Sequence, residues 1–335
     1  MQLTSLLGRE VNLKVGVLGL GVMGKNHVRV LSTMDAVTEV RVFDPYMPKG
    51  EKFMGLEISA DLEKFLENDL DYCVVSSPTS THESMAVHLA ARGVPALVEK
   101  PISPTTQEGK KIIEVFSKAG LVGGVGHIER YNPATLAMKE KLEEVLLGKI
   151  YQITTRRVGP YTGRIRDVGV IKDLATHDIH LVLWLIGSSY GRLDARTQNI
   201  SEGPHEDSLL AVGSLDNGVL FSHVVNWISP TKERVTTILG ERGLLVADTL
   251  NGNLFFHENG TNQNNWDSLA QFKGISEGPV HKFELIKLEP LVAEHLAFQN
   301  AIRTKDLSDI VSFESALEVL SVAEDLISAG ASKED

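Results

Sequence analysis

Cysteine is almost absent: Cys73 is the only one in a chain of 335 residues. That excludes a disulfide framework and a thiolate zinc site, and it fits a reducing compartment. No apolar run approaches the ~18 residues needed to cross a bilayer. The opening stretch MQLTSLLGREVNLK has no long apolar core ahead of a cleavage site. The chain is therefore expected in the cytoplasm, without a membrane partner. Basic residues are in deficit, since 33 Lys and Arg against 44 Asp and Glu leave a formal charge of −11. Such a balance argues against a nucleic-acid binder. An anionic small substrate would need a local cluster of cations. Low-complexity tracts and internal repeats are lacking as well.

What is present is a globular composition, 42% hydrophobic and 23% charged. The length exceeds one ordinary core, so two domains are expected. In the first third, KVGVLGL (14–20), EVRVFD (39–44), YCVVSS (72–77) and PALVEK (95–100) have the character of buried strands. GKNHVRVLSTM, LEKFLEN, HESMAVHLAARG and QEGKKIIEVFSKAG stand between or after them with helical spacing. This alternation predicts an α/β domain with a doubly wound parallel sheet, a Rossmann fold, over residues 1–127.

Beyond residue 127 the pattern changes. Segments 151–158, 207–215, 218–228, 235–239, 244–250 and 254–258 follow one another as strands. Turns such as Asp216-Asn217-Gly218 and Asn251-Gly252-Asn253 separate them. They predict an α+β domain over 128–335 with a large, mostly antiparallel open sheet. One apolar helix is expected near 169–187. Two amphipathic helices, EPLVAEHLAFQNAIR and ESALEVLSVAEDLIS, close the chain and are free to pack back on the first domain.

Gly19, Gly21 and Gly24 form Gly-x-Gly-x-x-Gly directly after the first strand, with Val22 and Met23 between the last two. In a dinucleotide site the first glycine turns the chain and the second admits a pyrophosphate. The third lets helix and strand close up. Phosphate then rests on free N–H groups at the helix N-terminus. A plain tight turn is the competing reading. Asp44 lies 20 residues beyond Gly24, at the end of the second strand. A carboxylate there accepts from ribose hydroxyls and repels a 2′-phosphate, which favours NAD over NADP. Otherwise Asp44 is a turn residue before Pro45.

Two further groups carry chemistry. Glu99-Lys100-Pro101 falls at the C-terminal end of a predicted strand, the edge where open α/β sheets bind ligands. Lys100 there offers a fixed positive charge, unless it is a solvated surface lysine. Asp173 and His177, four apart, share a helix face, so the acid can hold the ring as a proton acceptor. An ordinary surface pair has the same spacing. Asp178 and His180 lie close by, but ligand spacing is incomplete and no metal is expected.

In this order, GLGVMGKNH, SSPTSTHE, EKP, GHIERYNP and GVIKDLATHDIHLVLWL resemble the Gfo/Idh/MocA oxidoreductases over essentially the whole chain. The resemblance implies an NAD-dependent dehydrogenase in which Lys100 contacts the substrate hydroxyl and the nicotinamide ribose. Asp173 becomes the orienting acid and His177 the general acid/base. Ser77, Pro78, Thr79, His82 and Glu99 become candidate walls of the cofactor site, although His82 is equally read as a helix N-terminal residue without a ligand. His180 departs from the family pattern, where a second aspartate is common.

Within the family, GHIERYNP and GRIRDVGVIKDLATHDI are most similar to the branch that oxidises UDP-N-acetylglucosamine at C3. Inositol-type members more often carry an aromatic residue where His127 stands. His127, Arg130, Tyr131 and Asn132 thereby become substrate candidates, with Tyr131 and Asn132 alternatively capping the next helix. A diphosphate needs cations, and Arg156, Arg157, Arg164 and Arg166 fall within eleven residues. Arg164 and Arg166 are favoured for substrate, whereas Arg156 and Arg157 equally suit an oligomer interface. The alternatives are a free polyol dehydrogenase, a keto-sugar reductase and a non-catalytic NAD sensor. The open sheet face is expected to be covered in a homodimer or homotetramer.

Overall fold

The computed structural model describes residues 12–48, 50–67, 69–161, 168–201, 203–260 and 276–331. It divides into two compact units. The first comprises the chain up to His127 together with Leu291–Glu318; the second comprises Ile128–Pro290 and the chain from Val319 onward.

The first unit alternates β1 (Leu13–Leu18), α1 (Val22–Leu31), β2 (Val37–Phe43), β3 (Lys52–Phe53), β4 (Leu56–Ser59), α2 (Leu62–Leu66), β5 (Tyr72–Val75), α3 (His82–Ala91), β6 (Ala96–Glu99), α4 (Thr106–Ala119) and β7 (Gly123–Gly126). Its seven strands lie in the order β3-β4-β2-β1-β5-β6-β7. All neighbours pair in parallel except the β3–β4 hairpin. Strand order reverses at β1, flanked by β2 and β5, which creates the crevice where such sheets bind ligands. Central strands are covered on both faces, and Tyr72–Val75 is buried throughout. Helix starts are chemically marked: Thr105 and Glu108 form a capping box on α4, and Asp61 accepts from the Lys64 amide at α2.

The second unit contains α5 (Pro133–Glu143), β8 (Ile150–Pro160), a π-helical turn at Ile171–Ala175, α6 (Thr176–Ile186), β9 (Tyr190–Gln198), β10 (Ser208–Leu215), β11 (Leu220–Asn226), β12 (Ile228–Gly240), β13 (Gly243–Asp248), β14 (Asn253–Gly260) and β15 (Ser276–Phe283). Eight strands follow the order β15-β14-β13-β12-β8-β11-β10-β9. One face buries Ile153, Leu209, Phe221, Ile238 and Leu245 against Met138 of α5 and Ile179 and Val182 of α6. Alternate residues point the other way, and Leu210, Val212 and Leu220 remain more than half exposed.

α7 (Pro290–Thr304) and α8 (Phe313–Ala331) complete the chain. α7 and the start of α8 belong to the first unit, and the remainder of α8 joins the second unit's core through Val319, Val322, Ala323 and Leu326. This explains β7, which the sequence reading passed over because its residues are Gly-Gly-Val-Gly. A methyl on Gly123 would run into the Phe313 ring, and one on Gly124 would lie 3.2 Å from Phe298. The glycines form a bare strip of sheet on which two aromatic rings rest.

The second sheet is mostly antiparallel, as expected, with one parallel pair, β8 with β11. It differs from expectation in two places. β9 and β15, the two edge strands, carry mixed polar sequences and were not expected as strands. β12 begins at Ile228 rather than 235, because Ile228 pairs with Pro160 and the ladder then skips to Glu233. Pro230, which has no amide hydrogen to give a ladder, sits inside that irregularity.

Candidate active site

The first unit gathers its candidates on the C-terminal edge of the parallel sheet. Gly19, with φ of +91°, leaves β1 in a conformation that glycine adopts without strain, and a methyl there would lie 2.6 Å from the Ser77 backbone. Gly24 packs so tightly that its Cβ would collide with the Gly19 carbonyl oxygen. Gly21 behaves oppositely, because a Cβ there meets nothing within 4 Å. Gly21 is the N-cap of α1, no side chain caps that helix, and its first turn has no acidic residue. Open space above unbonded amides at a helix start is what an incoming pyrophosphate requires.

Asp44, just past β2, turns its carboxylate to this loop. Oδ2 accepts from the Leu20 amide at 2.8 Å and Oδ1 from the Tyr46 amide at 2.9 Å. Each oxygen keeps a further lone pair for ribose hydroxyls. Beyond β5, Ser76 donates to the Gly19 carbonyl at 2.8 Å, locking the glycine turn to the next loop. Ser77 and Thr81 share a hydroxyl contact of 2.7 Å around the 3-10 turn Thr79–Thr81, and Pro78 is exposed beside it. Together the glycine turn, the bare helix start and the Asp44 carboxylate fit a dinucleotide, with Val22, Met23 and the Ser77–Thr79 loop around it.

His82 does not join that wall. It is 1% exposed, and both ring nitrogens lie 3.0 Å from backbone carbonyls, Nδ1 from Pro101 and Nε2 from Ser77. Burial holds its pKa below the ordinary imidazole range, against the pull of those carbonyls. The helix N-terminal reading therefore describes it, and it tethers the Ser77 loop to the loop of Lys100. Lys100 is half-buried and its peptide bond to Pro101 is cis. Behind it Glu99 is almost fully buried, accepting from the Lys100 amide at 3.2 Å on Oε2, with His27 Nε2 at 2.9 Å from Oε1. His127 follows β7 as a buried residue.

In the second unit Asp173 falls within the π-helical turn and His177 in the first turn of α6, both partly exposed. The expected single helix is thus two: a widened turn of the kind found at functional sites, then a regular helix ended by Gly187 in the left-handed region. Glu206 sets this junction by accepting from the Ile171 amide at 3.0 Å, while its own carbonyl accepts from Val170. His180 is buried.

Other candidates there have structural work. Asn132 caps α5, accepting from the Ala134 amide, and its Nδ2 donates to the Thr249 carbonyl. Arg130 is buried with its guanidinium 4.8 Å from the centroid of the Trp184 ring, a cation–π contact. Tyr131 is buried in the same 3-10 turn. Arg164 and Arg166 lie outside the described residues.

Arg157 corrects the phosphate reading most clearly. It is buried, with Nε 3.1 Å from both oxygens of Asp178 and Nη1 3.0 Å from Glu129, which also accepts from Arg234 at 3.0 Å. Burial acts to raise Glu129, yet the two arginines hold it below the usual carboxylate range. Burial raises Asp178 against the pull of Arg157. Arg157 therefore fastens the residue after His177 to the turn that carries Arg130, and no face of it is left for a diphosphate. Arg156 points outward and pairs with Glu233 at 2.7 Å.

Comparison with known proteins fits this arrangement. The family model for the oxidoreductase family with an NAD-binding Rossmann fold matches residues 13–127, and the model for the GFO/IDH/MocA C-terminal domain matches 135–246. A scyllo-inositol 2-dehydrogenase (NAD(+)) of Bacillus subtilis is 30% identical over 72% of this chain and 75% of its own. The chain belongs to the Gfo/Idh/MocA oxidoreductase family. A UDP-N-acetylglucosamine 3-dehydrogenase of Acidithiobacillus ferrooxidans is 26% identical over 87% of this chain and 89% of that one. A solved structure of that dehydrogenase superposes with a TM-score of 0.81 at 24% identity, covering 95% of this chain and 98% of the other. Membership identifies an NAD-binding oxidoreductase. No helix among the described residues is long and apolar enough to cross a membrane.

The buried partners of these candidates escaped the sequence reading. Glu294 and His295 sit on the apolar stripe of α7 with Leu291 and Phe298, at the spacing three, four and seven. Polar residues on an otherwise apolar helical face were the available signal.

Proposed function

We propose that the protein is an NAD-dependent dehydrogenase that oxidises a secondary hydroxyl of a sugar nucleotide, UDP-N-acetylglucosamine at C3. The observation that carries the activity is that β1, β2, β5 and β6 deliver the glycine turn, Asp44, the Ser77 loop and Lys100 to one edge of one sheet. When bound, NAD supplies the hydride acceptor. The Lys100 ammonium stabilises the alkoxide charge that develops as the hydroxyl is oxidised. His177 takes the hydroxyl proton at an imidazole nitrogen, and Asp173 keeps that ring oriented. The choice of a UDP-sugar is supported by the extent of the likeness to the UDP-N-acetylglucosamine 3-dehydrogenase, which runs over 87% of the chain.

Oxidation of a free polyol is the second reading, favoured by the higher identity to the scyllo-inositol 2-dehydrogenase over a shorter stretch. Incubating the protein with NAD and either UDP-N-acetylglucosamine or myo-inositol, and following reduced nicotinamide by absorbance, separates the two. Reduction with the UDP-sugar is the expected result. Reduction with the polyol alone transfers the assignment to the second reading, and reduction with neither removes both.

The outer face of the second sheet supports self-association as well. Leu210, Val212 and Leu220 there are each more than half exposed on three residues of two adjacent strands. Such a face is covered by a second copy in this proposal. A single monomeric boundary in sedimentation velocity would remove it.

A further inference from the structure

Behind the Lys100 loop the first unit buries four ionisable or hydrogen-bonding side chains in a row, from four different elements. His27 of α1 lies with Nε2 2.9 Å from Glu99 Oε1 and Nδ1 3.0 Å from His295 Nε2. His295 of α7 has Nδ1 3.1 Å from the Tyr72 hydroxyl on β5, and Gln299 Nε2 donates to that hydroxyl at 3.1 Å. His27, Tyr72 and His295 are completely buried.

For an uncharged His27 tautomer, the partners set the direction of every bond. A carboxylate only accepts, so His27 Nε2 carries the hydrogen and its Nδ1 is an acceptor. His295 Nε2 must then donate to His27, leaving His295 Nδ1 to accept from the Tyr72 O–H. Tyr72 in turn accepts from Gln299. All donation then runs one way, from α7 and β5 through α1 to Glu99. Burial, reinforced by His27, keeps His295 well below the usual imidazole range, and burial raises the Tyr72 hydroxyl. Glu294, the neighbouring residue on α7, is pushed well above the usual carboxylate range by burial and by Glu99. Glu99 is thus the single acceptor at which the row ends.

Glu99 uses its other oxygen on the Lys100 amide. It therefore joins the helix that begins at the glycine turn to the loop that carries Lys100. We propose that His27, His295 and Tyr72 are positioning residues: a buried one-way relay that fixes the Glu99 carboxylate and, through it, the backbone of Lys100. The catalytic value of this device rests on the role of Lys100 given above, whereas its mechanical action does not.

The test separates the two. Hydrogen–deuterium exchange of the full-length protein with NAD, read at single residues by electron-transfer fragmentation, reports the Lys100 amide directly. His27→Leu should speed exchange of that amide at least about tenfold, as expected for loss of a hydrogen bond to a charged acceptor. Amides of α4 should be unchanged. His27→Gln, which keeps a donor for Glu99, should restore most of the protection. Tyr72→Phe, which removes one atom at the far end, should give a smaller change in the same direction and serves if His27→Leu does not fold. Equal Lys100 exchange in the folded variants and the wild type would overturn the relay. Where turnover is measurable, His27→Leu should lower kcat with KM within about twofold, since uniform binding is untouched. Wild-type protein inactive on UDP-sugar and polyol would sink the dehydrogenase reading and leave the exchange result to decide the relay.

Discussion

The two units each place a buried polar network behind one half of the proposed chemistry, and they build it from different materials. Behind Lys100 the network is a line of two imidazoles and a phenol ending on one carboxylate. Behind His177 it is ionic, with Arg157 clamped between Asp178 and Glu129 and Arg234 sharing the latter. The difference teaches how each can fail. Removing one link of the hydrogen-bonded row leaves its uncharged members to relax around a single carboxylate. Removing one ion from a buried cluster leaves opposite charges uncompensated. The first unit should therefore lose precision before stability, and the second the reverse.

The largest expected effect follows from the ionic side. Arg157→Met keeps the volume but strands Asp178 and leaves Glu129 with Arg234 alone, and should cost ~3–5 kcal/mol of stability by urea denaturation. A loss comparable to that of a surface arginine would erase the contrast between the networks. Next comes the glycine turn. Gly24→Ala forces a methyl onto the Gly19 carbonyl and should destabilise the fold by ~1–3 kcal/mol. Gly21→Ala has open space and should leave the melting temperature nearly unchanged while weakening NAD, measured by calorimetry, by about tenfold or more. Equal effects of the two substitutions would mean that Gly21 does not face the cofactor.

An effect that is absent near pH 4 and grows only with pH concerns Glu294, whose two carboxyl oxygens are buried and have no hydrogen-bond partner among the described residues. Its pKa is raised in the folded protein, so folding retains a proton that the unfolded chain releases. Wild-type stability should then fall as pH rises above the unfolded value, a slope that Glu294→Gln lacks. The variant should match the wild type near pH 4 and gain up to ~1.4 kcal/mol per pH unit between about pH 5 and pH 7. A variant less stable than wild type at neutral pH would show that Glu294 is ionised and paired.

The first domain was legible because its signals are local. The glycine turn, Asp44 and the apolar runs KVGVLGL and YCVVSS each declare a strand or a strand end within a few residues. β7 was not legible, because its glycines answer to Phe298 and Phe313, almost two hundred residues away. The same distance rule separated the site residues. Lys100, Asp173 and His177 are candidates by motif and spacing, whereas Arg157 suits a phosphate or an oligomer interface equally until Glu129 and Asp178 are seen against it. His27 and His295 are ordinary helix residues until they meet across 268 positions. The parallel pairing of β8 with β11 is likewise set by topology, not by either strand's composition.

The central claim is that a fixed ammonium at the end of β6 serves an oxidation carried by NAD. Lys100→Met with NAD and UDP-N-acetylglucosamine measures it most directly. Turnover should fall by about 10³-fold while NAD binding by calorimetry stays within about threefold, because charge stabilisation is lost and the cofactor site is not. Near-normal turnover in that variant would contradict the account.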